Sequence, residues 1–494
     1  MRAEAERRAG ALAVLCAMSL MIVLDSTIVA VAVPDIQREL GFSPAGVAWV
    51  VNGYLVAFAG LLLFAGRLGD LLGAWRVFLA GLGVFTVASL LCGFATTAAA
   101  LIAGRFLQGA GGALAAAVVL GMIVRLFPAP AEQARAMGIY SFTQAGGAAA
   151  GFVLGGVLTD ALGWPVIFLI NVPIGLAVWL AGRRLLHRET SSETSRETSR
   201  ATNRATNPRT NRPTSRETSR SLRDRLDLPG ALLITAGLSL GVYAIIRTGE
   251  PGATRTSTLA GAAAVLLILG FLLRQHLART PLIPLRVLAR RRLLIANAAV
   301  VLVFATGMGF QFMNALFMQR VMGYDALGTG LAFLPTPIVI GFVSLFAAPR
   351  LTAIRGPRPV LVTGLILLLA GLLLLHRLPV SPDYLTDMLP SLIVMGLGVG
   401  ITIPSIIMLA MSGAAPEDTG VVSGFSNTAQ QAGGALGLSV LAAVAARDTE
   451  ATAALHDGYT TAFLVAAGFA LAALLITTLA LRDAPTKQKE HRYV

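Results

Sequence analysis

The sequence predicts an all-α protein embedded in a membrane, with fourteen spanning helices. Of its 494 residues, 55% are hydrophobic and only 13% are charged, about half the charged fraction of a typical soluble protein. So few charges cannot cover the surface of a soluble protein of this length. Apolar runs of about 20 residues, long enough to cross hydrocarbon as helices, recur along the chain. They do not alternate with polar residues, as the strands of a membrane barrel would.

The fourteen predicted spans begin with a run that is too long for a signal peptide and that contains an acid, Asp25, so we expect it to be retained. In chain order the spans are residues 11–33, 47–66, 77–97, 100–124, 137–159, 166–182, 228–246, 257–273, 294–318, 328–348, 359–376, 388–411, 421–445 and 460–481.

The chain carries a net charge of +14, and the placement of its basic residues indicates the orientation. If the N-terminus is cytoplasmic, most of the 39 Lys and Arg residues fall in cytoplasmic segments, as the positive-inside rule requires. The exceptions are Arg38, Arg247, Arg255, Arg320, Arg377 and Arg447 on the opposite side, and Arg105 within a span. We therefore expect a multi-pass protein of the cell membrane with both termini in the cytoplasm, and no nucleic-acid partner.

Composition divides the chain into four parts. Residues 1–182 hold six spans, 183–227 form a cytoplasmic linker, 228–276 hold two spans, and 277–494 hold six more and a short tail. Within the linker, residues 188–220 repeat Arg, Thr and Ser or Asn in a near four-residue pattern that cannot bury a core, so we expect disorder. The linker is either a flexible connection only, or also a lipid-surface contact or phosphorylation site.

A short internal sequence similarity suggests that the first and last six spans are repeats. The stretch "GRLGDLLGAWRVFL" (66–79) lies between spans two and three, and "PRLTAIRGPRPVLV" (349–362) lies between spans ten and eleven. If spans seven and eight are an insertion, these stretches occupy equivalent positions. Many transporters are built from such repeats, with the substrate site between them. The matched pairs are Arg67 with Arg350, Leu68 with Leu351 and Gly73 with Gly356.

Six motifs together resemble the major facilitator superfamily, and specifically its fourteen-spanner drug:proton antiporters. They are "LDSTIVAVAVP" (24–34), "GRLGDLLGAWR" (66–76), "LIAGRFLQGAGGAL" (101–114), "GAAAGFVLGG" (147–156), "GWPVIFLINVPIG" (163–175) and "GVVSGFSNTAQQAGGALGLSVL" (420–441). Three positions depart from the family pattern. Ala30 stands where the family usually has Asn, Phe152 where it has Pro, and Pro165 where it has Arg.

The resemblance implies a bundle of two six-helix halves plus two inserted helices, with access alternating between the two sides of the membrane. It further implies efflux of lipophilic organic compounds, cationic ones included, such as drugs or antibiotics, in exchange for protons. A monomer surrounded by lipid, without a cofactor or a metal, is the expected form. The alternatives are an exporter of a metabolite or a lipid precursor with the same fold, and a membrane sensor that transports nothing.

Asp25 lies about midway along the first span, in a stretch from Gly10 to Val33 with no other charge. Removal of water favours the neutral form of a carboxyl, whereas a cation or cavity water favours the charged form. A group subject to both effects can bind and release a proton as access alternates, and a cationic substrate could compete for it. The alternative is a carboxyl that only ties helices together.

Arg105 is the only basic residue well inside a predicted span, where an Arg costs about 2.5–3.5 kcal/mol on insertion scales. Gln108 lies one turn away on the same helix face. Arg105 either adjusts the proton affinity of an acid or contacts substrate, or it is a structural residue bonded to a neighbouring backbone. We assign Asp25 and Arg105 to proton coupling.

The stretch between spans two and three is predicted to be a cytoplasmic gating loop. Its glycines would allow a tight turn, and its acid could pair with an arginine or a helix N-terminus to hold one transport state. The alternative is a turn with solvated charges. The assigned residues are Gly66, Arg67, Asp70, Gly73 and Arg76.

The fifth span carries glycines at the positions of the antiporter motif. They give a smooth face against which another helix can pack closely, and the resemblance adds a hinge or leak-blocking role. The motif glycines are Gly147, Gly151, Gly155 and Gly156.

Amides and aromatic residues recur in the spans that should face a central cavity, and apolar walls with a few polar groups are typical of small-molecule sites. Such amides can equally hold helices together. The candidate cavity residues are Gln108, Gln144, Phe310, Gln311, Asn314, Phe425 and Asn427.

Nothing in the sequence indicates an enzyme. The only two Lys residues, Lys487 and Lys489, lie in the C-terminal tail, so a phosphate-binding loop of the GxxxxGK[ST] type is excluded. The five His residues form no HExxH motif, and no nucleophile or metal signature is present.

Overall fold

The computed structural model describes residues 2–185, 227–250, 252–278, 281–284, 290–411, 419–446 and 451–480. Within these ranges the chain is helical, without strands, and forms fourteen long helical units. Their bounds are α1 Arg2–Leu40, α2 Trp49–Leu72, α3 Ala74–Gly93, α4 Ala98–Leu126, α5 Pro130–Leu162, α6 Pro165–Leu185, α7 Leu228–Thr248, α8 Thr254–Leu277, α9 Arg291–Arg320, α10 Ala326–Arg355, α11 Pro357–His376, α12 Tyr384–Met411, α13 Thr419–Ala445 and α14 Thr452–Leu479.

Thirteen of the described helices are long and apolar enough to cross a membrane. The remaining unit, α13, has 27 residues, but Ser, Asn, Thr and Gln occupy much of its first half and lower its hydropathy. The predicted all-α membrane bundle of fourteen helices is therefore confirmed, as two six-helix halves, α1–α6 and α9–α14, with α7 and α8 inserted between them. Most of the predicted linker, residues 186–226, lies outside the described residues.

The two stretches of similar sequence, 66–79 and 349–362, have a similar backbone geometry at their turn glycines. Gly73 separates α2 from α3 at φ 94° and ψ 128°, and Gly356 separates α10 from α11 at φ 80° and ψ 163°. Both φ values lie in the region that favours glycine. A single glycine thus reverses the chain at equivalent places in the two halves.

Helices α1 and α9 join the two halves at one end of the bundle. We call the end that carries residues 41–48, between α1 and α2, the first-loop end, and the end where α1 begins the N-terminal end. Near the first-loop end, Gln319 of α9 donates a hydrogen bond to the backbone oxygen of Val31 in α1 (2.8 Å), and Arg320 donates to Gln37.

Helices α5 and α10 also cross between the halves near the first-loop end. A Cβ on Gly156 would lie 2.7 Å from the backbone oxygen of Ala326, and one on Gly330 would lie 2.3 Å from that of Phe152. The ring of Phe152 stacks on Phe333 with 4.6 Å between centroids. The two backbones are therefore close enough that only glycine fits between them.

Helices α2 and α13 touch along most of their length. Asn52 donates a hydrogen bond to Ser439, and further along α2 the side chain of Leu63 comes within 3.0 Å of a Cβ built on Gly424. The inserted helices pack outside this pair, where Ala231 of α7 and Phe271 of α8 share an apolar cluster. The α2–α13 contact is thus a continuous seam between the halves.

Candidate functional site

Asp25 lies in the interior of the N-terminal half with no solvent-accessible surface. Its Oδ2 accepts a hydrogen bond from Nη1 of Arg105 at 2.6 Å, and the Arg105 side chain is 1% exposed. The two residues are 80 positions apart in the chain and belong to α1 and α4. The single acid and the single base that the sequence places deep in the spans therefore form one buried ion pair.

Two amides complete the surroundings of the carboxylate. Oδ1 of Asp25 accepts from Nε2 of Gln108 at 2.8 Å and from Nδ2 of Asn171 in α6 at 3.0 Å. Every hydrogen-bond partner of Asp25 in the described chain is thus a donor. A protonated carboxyl would itself need an acceptor, so this arrangement suits the ionised form.

Arg105 is held from several directions. Its Nε donates to the backbone oxygen of Val50 in α2 at 2.8 Å, and its Nη1 also donates to Oε1 of Gln108 at 2.6 Å. The guanidinium lies 4.7 Å from the ring centroid of Tyr54 and 5.6 Å from that of Phe168, within the range of cation–π attraction. Arg105 therefore binds both an acid and a neighbouring backbone, contacts that are compatible with either of the alternatives drawn from the sequence.

Gln108 extends the cluster to α3, because its Nε2 also donates to Oγ of Ser89 at 2.8 Å. We call Asp25, Arg105, Gln108, Asn171 and Ser89 the Asp25 network. Its side chains lie on α1, α3, α4 and α6, and it reaches α2 through Val50. The candidate cavity role of Gln108 is not what the structure shows: this amide is fully buried and is occupied within the network.

The motif glycines of α5 bring that helix against α1 beside the network. A Cβ on Gly151 would lie 1.8 Å from Oγ1 of Thr27 and 3.1 Å from the backbone oxygen of Leu24. Cβ atoms on Gly147 and Gly155 would also approach α1 closely, whereas Gly156 faces α10. The glycine face thus packs against the turn of α1 that carries Asp25.

The predicted gating loop is mostly helix. Gly66 and Gly69 lie inside α2, which continues to Leu72, so Gly73 alone makes the turn. Among the described residues none forms a hydrogen bond or an ion pair with the side chain of Asp70, which is exposed. Arg67 and Arg76 are exposed as well. The tight glycine-rich turn expected from the sequence is therefore reduced to one residue.

The remaining candidate cavity residues differ in their burial and in their partners. Phe425 packs against the cluster shared with α7 and α8, and Phe310 lies against Phe333 with 6.5 Å between centroids. Asn314 is fully buried, and neither of its amide atoms has a hydrogen-bond partner among the described residues. The others, Gln144, Gln311 and Asn427, are half-buried.

A cavity of about 690 Å³ lies at the first-loop end between the two halves. Both halves line it, with Trp164 and Asp160 on one side and Tyr324 and Asp325 on the other. None of the candidate cavity residues is among its lining residues. Its position next to the α1–α9 contacts makes it a vestibule of this end of the bundle.

Sequence reasoning missed several polar residues that the structure uses. Asn171 lies within the stretch "GWPVIFLINVPIG" and Ser89 within α3, and both touch the Asp25 network. Asn52 of α2 and Ser439 of α13 are fully buried and bond to each other. A polar residue at mid-span was the available signal, but many spans carry one.

Comparison with known proteins gives matches along nearly the whole chain. The model of the Major Facilitator Superfamily matches residues 15–438. The cephamycin export protein CmcT of Amycolatopsis lactamdurans is 36% identical over 472 residues, which cover 94% of this chain and 91% of that protein. The puromycin resistance protein pur8 of Streptomyces alboniger is 36% identical over 96% of this chain and 90% of its own length.

A solved structure supports the fold. The POT family transporter PepTSo superposes with a TM-score of 0.67 at 13% sequence identity, covering 96% of this chain and 97% of that one. At this identity the likeness concerns the arrangement of the helices alone.

Proposed function

Since this chain belongs to the Major Facilitator Superfamily, we propose that it is an efflux transporter that exports lipophilic organic compounds, cationic ones included, in exchange for protons. The observation that carries the proton coupling is the fully buried ion pair of Asp25 and Arg105. The protein spans the membrane many times. In this proposal it works in the cell membrane as a monomer, with both termini cytoplasmic and no cofactor.

Asp25 is the proton carrier in this mechanism. When its carboxylate binds a proton, it loses the charge that attracts Arg105, while Arg105 keeps the Val50 oxygen and Gln108 as partners. In the state described here Asp25 has no contact with solvent, so it exchanges its proton only when the network opens. A cationic substrate that reaches the carboxylate has the same effect on Arg105 as a proton has.

Alternating access follows from the contacts between the halves. The α1–α9 and α5–α10 contacts hold the first-loop end together in this state. The exposed Asp70 and its neighbours lie at the N-terminal end, and we propose that they act as a latch there when the halves close on that side. Transport exchanges one set of contacts for the other around a substrate bound between the halves.

The substrate class comes from the similar proteins, whose names refer to export of cephamycin and resistance to puromycin. Within the halves, the proposed substrate contacts are the half-buried amides Gln144, Gln311 and Asn427, together with Phe310 and Asn314. Unpartnered amide atoms such as those of Asn314 can bond to a polar group of a substrate, whereas the phenyl ring supplies apolar contact.

Efflux in a bacterial host without its own drug pumps tests the function. Expression of the chain should raise the inhibitory concentration of puromycin or of a cephamycin. Everted vesicles should accumulate the same compound under a proton gradient and lose it when an uncoupler is added. Asp25→Asn keeps the shape of the side chain and removes its titration, so accumulation should fall to background while the protein still inserts.

Four results would contradict the proposal. Accumulation that survives the uncoupler would exclude proton coupling, and a sodium gradient as the sole driving force would replace the proton by another cation. Accumulation by the Asp25→Asn variant at the parent level would remove Asp25 from the mechanism. An absence of transport for a broad compound panel would remove the efflux function itself.

A further inference from the structure

The turn of α2 from Val50 to Leu55 is bound on one side by the proton site. Arg105 donates to the Val50 oxygen and lies over the Tyr54 ring. A Cβ on Gly53 would lie 3.5 Å from Cβ of Arg105, so the two backbones are close here. A change in the position of the guanidinium therefore acts directly on this turn.

The same turn of α2 is bound on its other side by the C-terminal half. Asn52 Nδ2 donates to Ser439 Oγ at 3.0 Å, between residues 387 positions apart, and both are buried. The side chain of Leu55 lies 3.8 Å from a Cβ built on Gly434. Asn52 Oδ1 has no partner among the described residues, so the bond to Ser439 is the one that fixes the amide.

Helix α13 passes any displacement to the rest of its half. A Cβ on Gly433 would lie 2.4 Å from the Val301 oxygen, and one on Gly437 would lie 2.3 Å from Cα of Ala305. Helices α13 and α9 are thus in backbone contact, and packed helices at this distance move together.

We propose that the α2 turn from Val50 to Leu55 transmits the charge state of Asp25 to the C-terminal half, and that the Asn52–Ser439 hydrogen bond is the positioning contact that makes this transmission. The inference rests on the proposed function, because it takes Asp25 as the proton carrier. Protonation of Asp25 releases Arg105 from its acid, the guanidinium shifts against Val50 and Tyr54, and Asn52 carries the shift to Ser439.

Among the described residues of the Asp25 network, Asp25 is the only carboxyl, and it is the group whose charge changes in the proposed step. Besides Arg105, the titratable groups that interact with it are Tyr54 of α2 and Cys92 of α3. Helix α6 presents the neutral Asn171, and α5 presents Gly151 beside Leu24.

A distance measurement tests the inference without a substrate. Spin labels on cysteines at Ala161, at the end of α5, and at Val380, between α11 and α12, report the separation of the halves at the first-loop end; both positions are exposed. The purified protein in lipid nanodiscs is measured from acid to alkaline pH. In the parent we expect the populations of the close and separated forms to depend on pH, and in Asp25→Asn we expect this dependence to vanish.

Ser439→Ala is the decisive variant. It should weaken the pH-dependent change in the ratio of the two forms by about fivefold, because a buried hydrogen bond of this kind contributes about that factor to an equilibrium constant. Ser405→Ala is its matched control: Ser405 is also fully buried and donates to a backbone oxygen one turn earlier on its own helix, as Ser439 does, but it bonds to none of the described residues of the N-terminal half. The control should behave like the parent.

A reciprocal exchange of the two residues distinguishes loss of the Asn52–Ser439 hydrogen bond from a change in local packing. Asn52→Ser combined with Ser439→Asn restores one amide and one hydroxyl at the seam, and it should recover the part of the pH dependence that each single change loses. A Ser439→Ala variant that responds to pH as the parent does would overturn the inference while leaving Asp25 as the proton carrier. A pH response that persists in Asp25→Asn would instead overturn the proton site, and the inference with it.

Discussion

Asp25 is tolerated at mid-span because its charge is balanced and both of its carboxylate oxygens accept hydrogen bonds inside the protein. Arg105 supplies the opposite charge at 2.6 Å, and Gln108 and Asn171 supply further donors. An unmatched carboxylate in this position would cost several kcal/mol. The pair is therefore stable only as long as both members keep their partners, and a proton that binds Asp25 removes the charge on which the pairing depends.

Removing one member of the pair should be worse than removing both. Arg105→Gln leaves the carboxylate buried without a cation, so we expect the free energy of unfolding to fall by about 3–5 kcal/mol. The double variant Asp25→Asn/Arg105→Gln should regain most of this loss, because neutral amides can bond to each other. Unfolding of the purified proteins in detergent, followed by circular dichroism, measures both.

The exposed pair of Asp35 and Arg38, with 2.7 Å between its charged atoms, is the control for this experiment. Arg38→Gln should change the stability by about 0–1 kcal/mol, because solvent screens the pair. If the double variant were as unstable as Arg105→Gln alone, the loss would come from packing around the arginine rather than from an unpaired charge.

The sequence predicted part of this site and missed the rest for a definite reason. Asp25 and Arg105 are exceptional because charge is rare inside spans, and Gln108 follows from helical spacing. Asn171 lies 146 residues from Asp25, on a helix whose rotation no apolar pattern fixes. An amide in a span can face a neighbouring helix or a cavity, and both need a polar group.

At the scale of single helices, α5 contacts a different helix through each of two neighbouring faces. One face packs its glycines against α1 beside Asp25, and the other presents Phe152 and Gly156 to α10. The departure of Phe152 from the Pro of the resembling family has a consequence here. Instead of interrupting the helix, the residue provides a ring that stacks across the two halves.

Position 156 should not tolerate even the smallest side chain, that of alanine. Gly156→Ala would place a Cβ 2.7 Å from a backbone oxygen of α10, so the helices must separate, at a cost of about 1–3 kcal/mol for overpacking. We expect the labelled positions 161 and 380 to move apart and efflux to fall. The same distance measurement and the vesicle assay detect both effects.

Gly146→Ala, on the same helix, is the matched control, because no atom lies within 4 Å of its Cβ position. It should leave the distance and the efflux unchanged. Equal effects of the two substitutions would mean that the helix responds to alanine in general, and that the close approach to α10 does not hold the first-loop end together.

At the scale of the whole molecule, the contacts described above join the two halves through three pairs of helices: α1 with α9, α5 with α10, and α2 with α13. The contacts of the first two pairs described above lie near the first-loop end, whereas the α2–α13 seam runs along most of α2. This arrangement allows the seam to stay in contact while the other pairs separate, which is how a bundle of two rigid halves can alternate access.

The segment between the halves should be dispensable for transport itself. Deletion of residues 194–213 leaves 186–193 and 214–226 as a connection that can still extend over roughly 70 Å. We expect the deletion variant to retain efflux at near the parent level, with expression measured as the control. A complete loss of efflux in a variant that inserts normally would show that the repeat does more than connect.

The sequence by itself determined the membrane class, the number of helices, the family and the identity of the buried acid and base. These follow from local quantities: apolar length, charge scarcity and short motifs. Only the tertiary structure decided which residues meet, namely Asp25 with Arg105 and Asn171, and Asn52 with Ser439 across 387 positions. The physical reason is that lipid and neighbouring helices are equally apolar. The hydrophobic pattern therefore fixes that a helix spans the membrane but not its rotation or its neighbours, and these are set by close packing at glycines and by the pairing of a few buried polar groups.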